Sequence, residues 1–349
     1  MTAPWRPAVA TGVGSLPGIV ALEAARIVAG ELPDLVHVVE LPGRGPGADM
    51  IGRTGGLLAA VTTELGLETT PDGWRLSAGV GRQIRRALSF LGEDLDALEE
   101  TTQGYAGPVK CQLAGPWTFA AAVELPSGER LLRDPGAVLE IGHALAEAAR
   151  VHVAEIRRRV PSVSAVIVQL DEPGLPAVLA GRIGTASGLS SYRAVDPQDA
   201  ERVLGVVLAA VSEAGALPVV HCCAADVPVD LLAAAGAQAV SLDITAMTTD
   251  ADADAAVGRL LEGGRDLLAG AVPSLGEGRL GDTAASAPLR GLLHRLGLED
   301  DRWLAQVAVT PACGLAGASP MWARTALSAC RAVGRVLRHD EQPEVDDGE

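Results

Sequence analysis

Apolar and polar positions along the chain fall into a repeating order: a short apolar run, a polar or glycine-rich break, then a longer stretch with apolar residues at helical spacing. The short runs are mostly continuous rather than alternating, as expected of parallel strands buried on both faces. They predict strands at 8–13, 35–41, 109–113, 165–170, 218–223, 239–243, 266–272 and 307–310. The helical pattern covers 19–31, 50–65, 76–98, 136–160, 197–214, 228–235, 251–262, 285–296 and 321–337, with a turn signal at Pro71-Asp72-Gly73. This alternation in a chain of 349 residues predicts an α/β fold, a TIM (β/α)8 barrel. The competing architecture is a doubly wound open sheet, and no G-x-x-x-x-G-K-[ST] loop is present to support it.

In such a barrel the chemistry sits at the C-terminal ends of the strands. Polar residues gather there: Ser15, Glu40, Asp171, Glu172, His221, Cys223, Asp243 and Cys313. Pro218-Val-Val-His-Cys-Cys223 sets His221 and Cys223 two residues apart, so on a strand an imidazole and a thiolate share one face. Zinc takes three or four ligands, and Asp243 and Cys313 close two further runs. Taken singly, each of these is a buried thiol or a core histidine; taken together, each ending its own strand, they point to a metal site. Two thiolates, an imidazole and a carboxylate bring three negative charges to a dication. Such a metal polarises carbonyls poorly, yet it deprotonates a bound thiol. The thiolate stays nucleophilic at neutral pH, which suits attack on an alkyl carbon. Cys111, Cys222 and Cys330 read as structural, and His37 as a core histidine.

Composition narrows the setting. Apolar residues make up 48% of the chain, enough for a large core, and no run is long and apolar enough for a transmembrane helix. The start lacks the pattern of a signal peptide, and five cysteines do not suggest a disulfide framework, so a cytoplasmic location is expected. The net charge of −16 and the lack of a basic footprint argue against nucleic acid. Acidic residues crowd 340–349, which reads as a disordered tail behind a single catalytic barrel at 1–339. Lys110 is the one lysine; placed at the start of its strand, it does not suit Schiff-base chemistry at the mouth.

Gly12-Val-Gly14-Ser15-Leu-Pro17, Gln169-Leu-Asp171-Glu172-Pro173, His221-x-Cys223 and Cys313-Gly314-Leu315 together resemble the C-terminal catalytic barrel of cobalamin-independent methionine synthase. Order and approximate spacing match from about residue 8 to residue 340. The resemblance implies zinc as cofactor, homocysteine as thiol substrate and methionine as product. It implies His221, Cys223 and Cys313 as ligands, with the family's glutamate falling at Asp243. It further implies that the Gly14-Ser15 turn and Asp171 hold the amino-acid end of homocysteine, with Glu40 as a second amino-group ligand. There are departures. Asp243 is one methylene shorter than glutamate. The Asp and His of the family's strand seven are missing from Gly270-Ala-Val-Pro-Ser274. A folate-stacking Trp is replaced by alanine near Ala122, with Trp117 at another offset. The family's large N-terminal barrel is also absent, as in its short, single-barrel branch. These departures point away from folate as methyl donor. They point toward a methylated corrinoid, free or on a carrier protein, or a sulfonium such as methylmethionine. The alternative is a degenerate member that binds zinc or a thiol without catalysis.

Overall fold

A computed structural model describes residues 3–62, 65–247, 251–298 and 300–338; the expected acidic tail, 340–349, lies outside the described residues. The chain opens with β1 (Val9–Ala10), α1 (Ala21–Glu31), β2 (Val36–His37) and α2 (Met50–Val61). A hairpin of β3 (Leu65–Thr70) and β4 (Gly73–Ala78) follows, then α3 (Arg82–Thr101), β5 (Val109–Ala114), α4 (Pro116–Ala122), β6 (Val123–Glu124) and α5 (Pro135–Arg159). The second half runs β7 (Val166–Asp171), α6 (Leu175–Leu179), α7 (Pro197–Glu213), β8 (Leu217–Cys222), α8 (Val229–Ala234) and β9 (Ala239–Asp243). It ends with α9 (Ala251–Glu262), β10 (Asp266–Val272), α10 (Asp282–Arg295), β11 (Val307–Pro311) and α11 (Pro320–Leu337).

Eight strands form one sheet in the order β1-β11-β10-β9-β8-β7-β5-β2, and every pairing within it is parallel. Its two ends meet at a parallel bridge between Ser15 and Glu40. There Leu16 N donates to Glu40 O at 2.9 Å and Glu40 N to Gly14 O at 3.2 Å. The sheet is therefore a TIM-type barrel, closed by the first two crossovers rather than by long strands. The two expected strands at 8–13 and 35–41 shrink to two residues each, because irregular backbone carries the rest of each run to that bridge.

The helices start where side chains can satisfy their free N–H groups. Asp134, Asp196 and Ser319 cap α5, α7 and α11, each with proline in the first turn. Among the described residues, no helix is long and apolar enough to cross a membrane.

The barrel interior is layered. Val9, Leu35, Ile167, Val219, Ala239, Leu268 and Ala308, with Trp5, form an apolar plug at the N-terminal end of the strands. Two residues further along, strand alternation puts side chains on the same inner face. Here that tier is polar: His37, Lys110, Gln169, His221, Ser241 and Thr310, all buried. A barrel filled in the usual way carries branched aliphatic residues at such positions. The next step up, at the mouth, holds Gln112, Asp171, Cys223 and Asp243.

The hairpin corrects the expected helices at 50–65 and 76–98. Helix α2 stops at Val61 and α3 starts at Arg82. Between them, Leu67 pairs with Leu76 across an antiparallel ladder turned at Pro71-Asp72. Tertiary contacts outweigh local helical spacing here. Leu67 and Trp74 are buried, and the Trp74 indole donates to Asp49 Oδ1 at 2.9 Å. The indole lies so close to Gly52 of α2 that a Cβ there would sit 2.5 Å from the ring.

Candidate metal centre

His221 and Cys223 extend from the end of β8, and Cys313 follows the end of β11, three strands further round the barrel. One ligand atom of each lies within 4.8 Å of the others. The two sulfurs are 3.1 Å apart, and both cysteines are free thiols. His221 is buried, with Nδ1 2.9 Å from Ser241 Oγ and no hydrogen-bond partner for Nε2. When Nδ1–H donates to Ser241, Nε2 keeps its lone pair, the state a metal requires. An orphaned imidazole nitrogen facing two unbridged thiols is a soft N/S donor set, which fits zinc.

The electrostatics agree with that donor set. The Cys313 thiol is pulled down by its hydrogen bond with Cys223, with His221 adding to the effect against the cost of burial. Cys223 is pushed up by the same contact, and burial acts the same way. Two sulfurs 3.1 Å apart, facing an imidazole nitrogen without a partner, are placed to bind a cation.

Cys313 reaches the mouth because the backbone after it folds tightly against the first crossover. Leu315 N donates to Ser15 O at 2.9 Å. Gly314 faces Ser15 so closely that a Cβ would lie 2.2 Å from its Oγ, so only glycine fits there without displacing the serine. The Gly14-Ser15 turn is thus shared between barrel closure and the cysteine loop.

Asp243, expected as fourth ligand, is outside the group. Its Oδ1 accepts from Thr245 N at 2.9 Å, Thr245 Oγ1 at 2.6 Å and Ala246 N at 3.1 Å, and so closes the turn after β9. Short aspartate carboxylates readily hold such turns. Asp171 is buried beside His221 in the β7–β8 register and accepts from Gln169 Nε2 at 2.7 Å. Burial raises its carboxyl, while His221, Gln169 and Lys110 oppose the shift. Glu40, also buried, has Arg53 Nε at 3.4 Å; burial pushes its carboxyl up to about 7 against that charge. Arg53 is itself paired with Asp94, which Arg44 grips from the other side at 2.7 and 2.8 Å.

Glu172, adjacent to Asp171, faces the other way. Its carboxylate accepts from Trp117 N at 2.9 Å, Thr118 N at 2.7 Å and Thr118 Oγ1 at 2.8 Å, and so caps α4. Trp117 is buried, and its indole donates to Ala200 O at 3.0 Å. Ser241 is the residue that sequence reasoning missed. It lies two residues before Asp243 on the same strand face, but its place opposite His221 is set by the β8–β9 register, which only the structure shows. Also passed over was Gly276-Glu-Gly278-Arg-Leu-Gly281, which has dinucleotide-turn spacing but runs between β10 and α10, late in a closed barrel.

No protein-family model matches the chain, and no curated protein matches it. Among solved structures, a B12-independent methionine synthase from Shewanella sp. W3-18-1, in complex with selenomethionine, aligns with a TM-score of 0.58 at 15% identity, covering 96% of this chain and 98% of that one. A family 1 β-glucosidase from Thermotoga maritima aligns with a TM-score of 0.45 at 12% identity, covering 97% and 99%. A 2,3-dimethylmalate lyase aligns with a TM-score of 0.33 at 14% identity, covering 95% and 92%. At 15% identity the likeness to the methionine synthase speaks for the TIM-barrel fold alone.

Proposed function

We propose that the protein is a zinc-dependent S-methyltransferase that methylates the thiol of homocysteine to form methionine. The observation that carries the proposal is the convergence of His221, Cys223 and Cys313 within 4.8 Å at the barrel mouth. These three would hold the zinc, and Asp243 would join only by leaving its turn. The metal, when bound, supplies the positive charge that keeps a substrate thiol as its thiolate at neutral pH. Sulfur attack on a methyl carbon then forms the S–CH3 bond as the donor's bond to that methyl breaks.

The chain's own residues would orient the substrate. Asp171 is the carboxylate suited to the ammonium group, because its bonded neighbour at 2.7 Å is a neutral amide. Glu40 has Arg53 at 3.4 Å, so a second cation gains less there. Gly14-Ser15 would take the carboxylate end. The methionine synthase among the structural relatives holds selenomethionine, which supports an amino-acid substrate of this kind.

For the donor we propose an activated methyl carrier: a methylated corrinoid, free or delivered by a carrier protein, or a sulfonium. Trp117 is buried under α7 and offers no free ring face for a pterin. The end of β10, Gly270 to Ser274, supplies no imidazole to protonate a folate nitrogen; such general acid catalysis is worth roughly 10²–10⁴-fold. A reducing, cytoplasmic setting suits a site built on two free thiols.

The test is methyl transfer to homocysteine by zinc-loaded protein, with methyltetrahydrofolate, methylcobalamin and methylmethionine compared side by side. Methionine formed from an activated donor at least about 100-fold faster than from the folate is expected. Equal or faster transfer from the folate would contradict the donor assignment. Zinc and homocysteine binding without transfer from any donor would instead mark a degenerate, binding-only barrel.

A further inference from the structure

The polar tier beneath the mouth contains a device that the substrate reading does not use. Lys110 is fully buried in β5, and its Nζ donates to Val13 O at 2.7 Å and Gln169 Oε1 at 2.8 Å. Gln169 Nε2 in turn donates to Val13 O at 3.0 Å and Asp171 Oδ1 at 2.7 Å. An ammonium group has donors only, so the amide oxygen of Gln169 must face Lys110. Its NH2 is then left for Asp171 and the Val13 carbonyl. The flipped amide would set its oxygen against a carboxylate and a carbonyl. One lysine thus fixes which way Gln169 points, and through it where Asp171 sits. The same lysine grips the carbonyl one residue before Gly14-Ser15.

We infer that Lys110 and Gln169 form one positioning unit that sets the Gly14-Ser15 turn and the Asp171 carboxylate at a fixed separation for the amino-acid end of a thiol substrate. This rests on the proposed role of those two elements in holding homocysteine. A buried ammonium is costly to desolvate. Burial lowers the affinity of Lys110 for its proton, while Asp171 and Glu40 act against that shift. An aliphatic residue would fill the barrel at less cost, so the lysine is retained for what it orients. Neither residue reaches the reacting atoms; both act through the turn and Asp171.

The inference is tested with two variants, Lys110→Met and Gln169→Met, and two ligands, homocysteine and its analogue without the amino group, 4-mercaptobutyrate. Zinc content is measured on each protein, and affinities for the two ligands are read by calorimetry. Wild type is expected to prefer homocysteine. Both variants should retain zinc and lose less affinity for the analogue than for homocysteine, so that the preference for homocysteine falls by roughly 10- to 100-fold, the worth of a charge-assisted hydrogen bond. A role in filling the core alone would weaken both ligands together and leave the preference intact, which would overturn the inference. If Lys110→Met does not fold, Gln169→Met decides, since Lys110 then keeps its bond to Val13. A wild type with no preference for the amino thiol would sink the holding of homocysteine by Asp171, and this inference with it. A preference that survives in the variants sinks this inference alone.

Discussion

At the scale of single residues, the chemistry depends on what each polar atom already has as a partner. His221 Nε2 has none, and the Cys223 and Cys313 sulfurs lie 3.1 Å apart. Asp243 and Glu172 are engaged by their own turn and by the start of α4. This ranking yields an ordered prediction for zinc affinity. Ser241 orients the imidazole from behind, so Ser241→Ala should weaken zinc by about 10- to 100-fold. Cys313→Ser should cost more, as a direct ligand is lost, and Asp243→Ala should cost less than either. Competition with a chromophoric chelator reads all three; a loss at Asp243→Ala equal to that at Cys313→Ser would return Asp243 to the coordination set. Spacing singled out His221 and Cys223, because i and i+2 on a strand share a face whatever the tertiary structure, and Cys313 stood out because it closes another apolar run. It could not show that the Asp243 carboxylate folds back on Thr245, since aspartate serves turns and metals with the same oxygens. Ser241 was illegible for a different reason: its role depends on the β8–β9 register, which a sequence does not state.

Among the elements, the inner strands β5 and β7 to β11 were legible because each is a short, mostly apolar run flanked by a break. The expected limits of β9 and β10 agree with the observed Ala239–Asp243 and Asp266–Val272. Strands β1 and β2 were overestimated, because the same apolar residues continue into irregular backbone that closes the barrel through Ser15 and Glu40. The β3–β4 hairpin was read as helix on both sides of a correctly placed turn. Its burial rests on Gly52 and Trp74, a contact between elements that local spacing does not encode. The polar tier was likewise hidden. Lys110 reads as an ordinary strand residue until alternation inside a closed barrel turns it inward, where it meets Gln169 from the next strand.

For the whole molecule, the buried titratable groups set how stability responds to pH. Burial pushes His37 down to about 3 and His152 down to about 4, so both are neutral in the fold. The unfolded chain binds their protons near pH 6.5. Stability from these groups is therefore complete above about pH 6.5 and is lost as pH falls from there toward their folded values, by up to about 1.4 kcal/mol per pH unit for each. Buried carboxyls run the other way. Glu40 and Glu172, pushed up to about 7, favour the fold at low pH and lose that contribution as pH rises through 7. A difference measurement separates the two signs. Relative to His152→Leu, the wild type should lose melting temperature progressively between pH 6.5 and 4.5; a constant difference across that range would mean His152 is charged in the fold or accessible to protons.

The net charge of −16 over the chain does nothing to draw in an anionic polyglutamate donor, which agrees with the proposal of a neutral or cationic methyl carrier. On the proposed function, the whole arrangement would bring a substrate sulfur to a metal held by His221, Cys223 and Cys313. Zinc K-edge X-ray absorption on zinc-loaded protein, with and without homocysteine, addresses that directly. Without substrate, two sulfurs at about 2.3 Å and at least one nitrogen at about 2.0–2.1 Å are expected; with homocysteine, a third sulfur should appear at the same distance. A protein that takes up no zinc, or a zinc whose sulfur count is unchanged by saturating homocysteine, would contradict the proposed function at its root.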